Sequence, residues 1–188
     1  FMEVLQNSCN PGFVKMGQLL GKDRLFSYLD KFGFGAKTGV DLSGEGKGII
    51  FPLSKVGNVE LATTAFGQGI SVTPIQQVTA VSAVVNGGKL YQPYILKSIS
   101  EKETGNIIKK NSKKFIRQTI SKETSNTMRR ALENVVAKGG GKAAYIDGYR
   151  IGGKTGTAQK VENGVYLVNN YISKQINLSH CKVLVISE

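Results

Sequence analysis

Apolar residues recur along this chain at helical and at strand-like spacings, and the order of those spacings predicts its elements. Phe1, Val4 and Leu5 fall on one side of a helical tail that ends by Asn7. Asn10 followed by Pro11 reads as an N-cap with proline at the first helical position. The helix so opened runs from about Pro11 to Leu20, with Phe13, Met16, Gly17 and Leu20 along one face. A second helix, about Lys22 to Phe32, aligns Leu25, Tyr28, Leu29 and Phe32 and stops at Gly33. Gly35 to Asn58 is rich in glycine and reads as loop, and Asn58 to Phe66 as a short helix. The clearest helix start is Thr73-Pro74-Ile75-Gln76, an N-cap, a proline and a capping-box partner in order. That helix places Ile75, Val78, Val81, Ser82 and Val85 on one side, is apolar nearly all round, and is expected to be buried until Gly87-Gly88 ends it.

The second half of the chain alternates strand and helix. Tyr91 to Ser100 reads as a strand, with Glu103-Thr104-Gly105-Asn106 turning into Ile107-Ile108. Ser121 caps a helix from about Lys122 to Ala137, with Met128, Leu132, Val135 and Val136 inward and Gly139-Gly140-Gly141 beyond it. Tyr149 to Gln159 is expected as a strand, Asn163-Gly164 as a tight turn, and Val165 to Ile172 as its return. No repeat and no linker dividing two domains is evident.

Composition narrows the function. The 188 residues suffice for one sizeable core; with 40% apolar and 20% charged residues the chain is globular. The net charge of +12 comes from Lys and Arg spread along the chain, crowding somewhat from Lys102 to Lys142. That crowded part has few aromatics and no nucleic-acid-binding motif, so it reads as a solvated basic face near anionic wall polymers or lipid head groups, with no nucleic-acid partner. Cys9 and Cys181 make no metal spacing, and His180 is the sole histidine. A His/Cys zinc site and a Ser-His-Asp triad are therefore disfavoured, and serine chemistry would need lysine as its base.

The chemically richest stretch is Tyr149-Arg150-Ile151-Gly152-Gly153-Lys154-Thr155-Gly156-Thr157-Ala158-Gln159. Gly148 to Thr155 fits the phosphate-binding pattern G-x-x-x-x-G-K-[ST]. Such a loop must follow a buried strand and open a helix, yet Ala143 to Asp147 is short for the strand and Gly156 to Gly164 is poor helix material. The alternative is the K-T-G element of active-site serine acyltransferases. It has companions here: Ser8-Cys9-Asn10 as S-x-N near the start, then Gly67-Gln68-Gly69 with Thr73-Pro74-x-Gln76 between.

In this ordered set, and in the run Lys154 to Gln159, the chain resembles the transpeptidase domain of class B penicillin-binding proteins, notably sporulation and cell-division members. The resemblance covers Phe1 to about Ile172. It implies a mixed α/β (α+β) fold, an antiparallel sheet flanked by helices as in serine β-lactamases and penicillin-binding transpeptidases, here incomplete. Residues 1–172 would be the C-terminal part of such a domain and 173–188 a divergent tail, since Ser173 to Lys182 lacks the apolar strands the family pattern calls for. A frameshifted or truncated gene product is the expected origin.

By the same resemblance, the substrate is a peptidoglycan stem peptide ending in D-Ala-D-Ala, mimicked by β-lactams. Ser8 would relay a proton to the leaving amine, Asn10 hold the substrate amide, and Lys154 add positive potential beside Ser8. Thr155 and Thr157 would bind the terminal carboxylate, Gly156 admit the substrate backbone, and the Thr157 N–H form half of the oxyanion hole. Gly67-Gln68-Gly69 would shape the floor. No metal or cofactor is implied; other cell-wall synthesis proteins are the expected partners, at the extracytoplasmic membrane face. The family's nucleophile motif, S-x-x-K, has no match ahead of Ser8, and Ser179-His180-Cys181-Lys182 matches only by chance. The chain alone is thus expected to be poorly folded and inactive, with a non-catalytic scaffold or binding module as the alternative.

Overall fold

The computed structural model describes residues 1–156, 159–162 and 165–171. In chain order the helices and strands are α1 (Met2–Gln6), α2 (Asn10–Leu20), α3 (Lys22–Lys31), α4 (Asn58–Ala65), α5 (Pro74–Val85), β1 (Lys89–Gln92), β2 (Ser98–Ser100), β3 (Ile107–Lys110), β4 (Lys114–Gln118), α6 (Lys122–Lys138), β5 (Gln159–Glu162) and β6 (Val165–Tyr171). The fold is mixed helix and antiparallel strand, as the family resemblance implies. Among the described residues the strands form three two-stranded antiparallel ladders, β1 with β4, β2 with β3 and β5 with β6. The chain divides into two compact units, residues 1–26, 51–70 and 126–188 in one, and 27–50 and 71–125 in the other. No helix among the described residues is long and apolar enough to cross a membrane.

The first unit has its core where α1 and α6 meet. Leu5, Ala131 and Val135 are buried there, with Met2, Phe13, Met128 and Leu132 packed around them. Helix α2 lies close on α4 because Gly17 faces Ala65; a Cβ on Gly17 would come within 2.5 Å of the Ala65 Cβ. After α6 the glycine turn folds back on α1: Gly140 N–H donates to the Gln6 carbonyl, and a Cβ at Gly139 would strike that same oxygen.

In the second unit Gln76 is the hub. Its neighbour Thr73 caps α5, the Thr73 hydroxyl accepting from Gln76 N–H at 3.3 Å and Gln76 Oε1 accepting from Thr73 N–H at 2.9 Å. The rest of the carboxamide, only 1% exposed, donates from Nε2 to the carbonyls of Ala36 at 2.6 Å and Lys47 at 2.9 Å. A buried amide is stable only with such partners, and here they fasten the glycine-rich loop to the helix. The most buried α5 positions are Gln76, Ala80 and Ala83, whereas Val78 is exposed. The helical period is as expected and its phase is not, because small residues and a fully bonded amide occupy the inner face.

Other expectations shift for local reasons. The strand foreseen from Tyr91 to Ser100 is two strands, since Pro93 lacks an N–H for the ladder. Past that break the Asp41 carboxylate takes over, accepting from Ile95 N–H at 2.7 Å and Leu96 N–H at 3.0 Å. Strand β4 was not foreseen. It pairs Phe115 opposite Tyr91 in an edge-on ring contact, and Arg117 caps the end of α3 by donating to the Asp30 and Lys31 carbonyls. Ser121 caps α6 as expected, accepting from Thr124 N–H at 3.1 Å.

Candidate functional site

Ser8 stands in the turn between α1 and α2. Its backbone is left-handed, φ 52°, the sole non-glycine with positive φ among the described residues. Such a conformation costs an L-residue about 1–2 kcal/mol and is held by neighbours: Ser8 N–H reaches the Leu5 carbonyl and Cys9 N–H the Val4 carbonyl. The turn is tight because Gly12 leaves no side chain against Val4. Helix α2 begins at Asn10 with Cys9 as its N-cap and no side-chain cap bond. The expected capping role of Asn10 is thus not realised; one residue of offset leaves its exposed carboxamide free of partners among the described residues and bordering a groove.

Lys154 comes from the other end of the chain. Its lead-in is buried at Ile151 and laid against α6 through Gly153, whose N–H donates to the Leu132 carbonyl. Gly152 leaves 3.1 Å between a would-be Cβ and the Leu132 Cβ. Residues 151–156 join no strand ladder, and of the strand expected over Tyr149 to Gln159 only Gln159, the first residue of β5, lies in a strand among the described residues. With Gly148, Gly152, Gly153 and Gly156 in so short a run, backbone entropy opposes regular strand formation, and contact with α6 holds the segment instead.

Lys154 Nζ donates to Ser8 Oγ at 2.8 Å and to its neighbour's carbonyl, Thr155 O, at 2.7 Å. Burial pushes its ammonium below the ordinary lysine value. Because the ammonium can only donate, Ser8 Oγ accepts, and the serine's own proton is left to point elsewhere.

Both residues line a groove of about 780 Å³ together with Leu5, Asn10, Phe13, Thr155 and Gly156, and with the run from Thr63 to Gln68 at the end of α4. The S-x-N, G-Q-G and K-T-G segments foreseen from sequence therefore border one cavity. Thr157, the Asn163-Gly164 turn and the tail from 173 lie outside the described residues. Sequence reasoning missed Thr63, Thr64 and Phe66, which line the groove just ahead of Gly67. Thr64 is the odd member, a buried hydroxyl with no hydrogen-bond partner among the described residues, a state that costs about 1–3 kcal/mol. No cluster of His, Cys, Asp and Glu able to hold a metal occurs among the described residues.

Compared with known families, residues 1–176 match the model of the penicillin binding protein transpeptidase domain. The chain is 63% identical over 172 residues to Stage V sporulation protein D of Bacillus subtilis, covering 92% of this chain and 27% of that protein. It is 32% identical over 171 residues to the peptidoglycan D,D-transpeptidase FtsI of Escherichia coli, covering 90% of this chain and 27% of that one. Among solved structures it is similar to penicillin binding protein 3 of Mycobacterium tuberculosis complexed with ampicillin, with TM-score 0.84 and 32% identity, covering 91% of this chain and 39% of that one. The chain thus spans about a quarter of the length of these curated relatives.

Proposed function

This chain belongs to the penicillin-binding protein transpeptidase family, and on that premise we propose that it is the C-terminal part of a peptidoglycan D,D-transpeptidase domain, with the groove between Ser8 and Lys154 as part of its active site. The observation that carries this reading is the 2.8 Å bond from Lys154 Nζ to Ser8 Oγ, made across 146 residues of sequence. The substrate is a stem peptide ending in D-Ala-D-Ala, and penicillins occupy the same place. The relatives' names support the substrate class: one is a peptidoglycan D,D-transpeptidase and a structural neighbour binds ampicillin.

The residue roles follow from the chemistry each can supply. Ser8, accepting from Lys154, is free to pass its own proton to the leaving amine of the terminal D-alanine. The ammonium of Lys154, lowered by burial, keeps that hydroxyl oriented and adds positive potential where the substrate carboxylate arrives. Asn10, with its carboxamide unclaimed, holds the substrate amide. Thr155 and Thr157 bind the carboxylate, Gly156 lets the substrate backbone approach, and the Thr157 N–H stabilises the oxyanion.

In the family the acyl-accepting serine belongs to an S-x-x-K motif, which is not among the residues ahead of Ser8 in this sequence, and the attack is assigned to that serine and not to Ser8. Acylation then proceeds by attack of that serine oxygen on the penultimate D-alanine carbonyl, with the terminal D-alanine leaving as the amine. The assembled domain works at the extracytoplasmic face of the membrane.

A graft tests the assignment: residues 1–172 replace the equivalent segment of the B. subtilis relative, and the product is incubated with a fluorescent penicillin. Covalent labelling of the graft, with none of the 188-residue chain alone, is the expected result. A folded graft that takes no label, or labelling of the lone chain, overturns it.

A further inference from the structure

We propose that the β2–β3 hairpin and the start of β4 form an arm that docks on an anionic lipid bilayer. The inference is independent of the groove and its chemistry.

The hairpin buries nothing. Every residue of β2, β3 and β4 is exposed, although a two-stranded ladder without a covered face is marginal in water. What it exposes is apolar to an unusual degree. Ile95, Ile107, Ile108 and Phe115 are 65%, 59%, 69% and 53% exposed. Interleaved with them are Lys97, Lys102, Lys109, Lys110, Lys113 and Lys114, against Glu101 and Glu103 as the acidic residues of the same stretch. The register sets Ile99 directly opposite Lys109, so an apolar and a basic side chain share that face, and a bulge shifts the register before Ile107.

Each half of this pattern points to a different feature of the occupant. Lysines alone fit any polyanion and also discourage edge-to-edge pairing of strands. Six lysines with large exposed aliphatic side chains between them fit a surface that offers charge and an apolar layer beneath it, the head-group region of an anionic bilayer. A soluble polyanion would leave the isoleucines in water.

The chain contains no tryptophan, so one introduced indole reports its own site. Ile108→Trp in the full chain, mixed with phosphatidylglycerol vesicles, is expected to shift its emission to the blue. Val59→Trp, at an exposed position of α4, is expected to stay unshifted, as is Ile108→Trp with phosphatidylcholine vesicles. In vesicle sedimentation, Lys109→Gln, Lys110→Gln, Lys113→Gln and Lys114→Gln together lower partition by about a hundredfold or more, taking about fivefold per lysine near the surface. Ile107→Ser with Ile108→Ser lowers it about tenfold or more.

Equal shifts at positions 59 and 108 mean unspecific adsorption and overturn the proposal. So does an equal loss from neutralising Lys15, Lys37, Lys55 and Lys138, which would make it a matter of net charge. Retention of full binding by the isoleucine variant, or a stronger response to soluble polyphosphate than to vesicles, replaces the bilayer with a polyanion and likewise overturns it.

Discussion

Ser8 combines backbone strain with a chemically used hydroxyl, and two substitutions separate them. Both Ser8→Ala and Ser8→Gly delete the oxygen that accepts from Lys154 at 2.8 Å, so that loss cancels between them. They differ in backbone. At φ 52° an alanine keeps the left-handed cost of about 1–2 kcal/mol, which glycine avoids. Glycine returns about 0.5–1 kcal/mol of this through its larger unfolded-state entropy. Ser8→Gly is therefore expected to be more stable than Ser8→Ala by about 0.5–1 kcal/mol, measured by urea unfolding of the graft. Acylation by fluorescent penicillin, in contrast, is expected to fall by about 10²–10⁴ in both, the usual worth of a positioned proton donor or acceptor. A glycine variant less stable than the alanine one would refute the strain argument. Acylation within tenfold of the parent in either variant would remove Ser8 from the proton path.

Other expectations concern single contacts. Gln76→Leu orphans the Thr73 N–H and the Ala36 and Lys47 carbonyls at nearly constant volume, and is expected to cost about 3 kcal/mol by urea unfolding, against about 1 kcal/mol for Thr73→Ala. Gly17→Ala forces a methyl into the Ala65 contact at 2.5 Å and is expected to destabilise by about 1–3 kcal/mol, with the larger Gly17→Val failing to fold. Lys154→Met removes a partly buried ammonium, so thermal stability is expected to be unchanged or higher while penicillin acylation falls at least tenfold. Asp41 is held below the usual carboxylate range by the N–H of Ile95 and then of Leu96, with desolvation opposing and Lys109 assisting. A depressed folded-state value gives stability that is present above the unfolded-state pKa of about 3.9 and lost as pH falls through the folded one. Asp41→Asn is accordingly expected to flatten the fall in stability as pH drops below about 4, followed by acid titration of the unfolding midpoint.

How legible the fold was depended on whether the deciding contact lay close in sequence. Thr73, Pro74 and Gln76 announce α5 because the whole capping box lies within four residues, and Ser121 announces α6 likewise. The phase of α5 was not legible: the stripe of valines suggested one inner face, and the observed face is set by Ala36 and Lys47, distant carbonyls that make a buried glutamine acceptable. Strand β4 was hidden because Lys114 and Arg117 dilute its apolar alternation, and its pairing with β1 comes from beyond the intervening hairpin. In the site, motif order brought Ser8, Asn10, Lys154, Thr155 and Gly156 to notice, and they border one groove. Thr63, Thr64 and Phe66 escaped because nothing in the residue types of a short helix end distinguishes a wall from a packing surface.

The groove also shows why its reactive residues can sit on irregular backbone. Ser8 is in a left-handed turn and Lys154 in a segment without ladder partners, conformations that wander unless something rigid is close. Rigidity is supplied by near-contact at residues that lack side chains. Gly12 lets Val4 press on the start of α2, Gly17 lets α2 settle on α4, and Gly152 lets the lysine segment lie on Leu132 of α6. Enlarging any of these shifts one wall of the groove relative to another, and a shift of about 1 Å is enough to cost about a hundredfold in rate. The expectation is that Gly152→Ala, whose new methyl would press on Leu132 at 3.1 Å, lowers penicillin acylation of the graft well beyond its effect on stability. Leu132→Ala introduced with it is expected to restore part of the rate, because it reopens the same contact. Failure of that second change to restore any activity would place the defect in the K-T-G segment itself and not in its seating on α6.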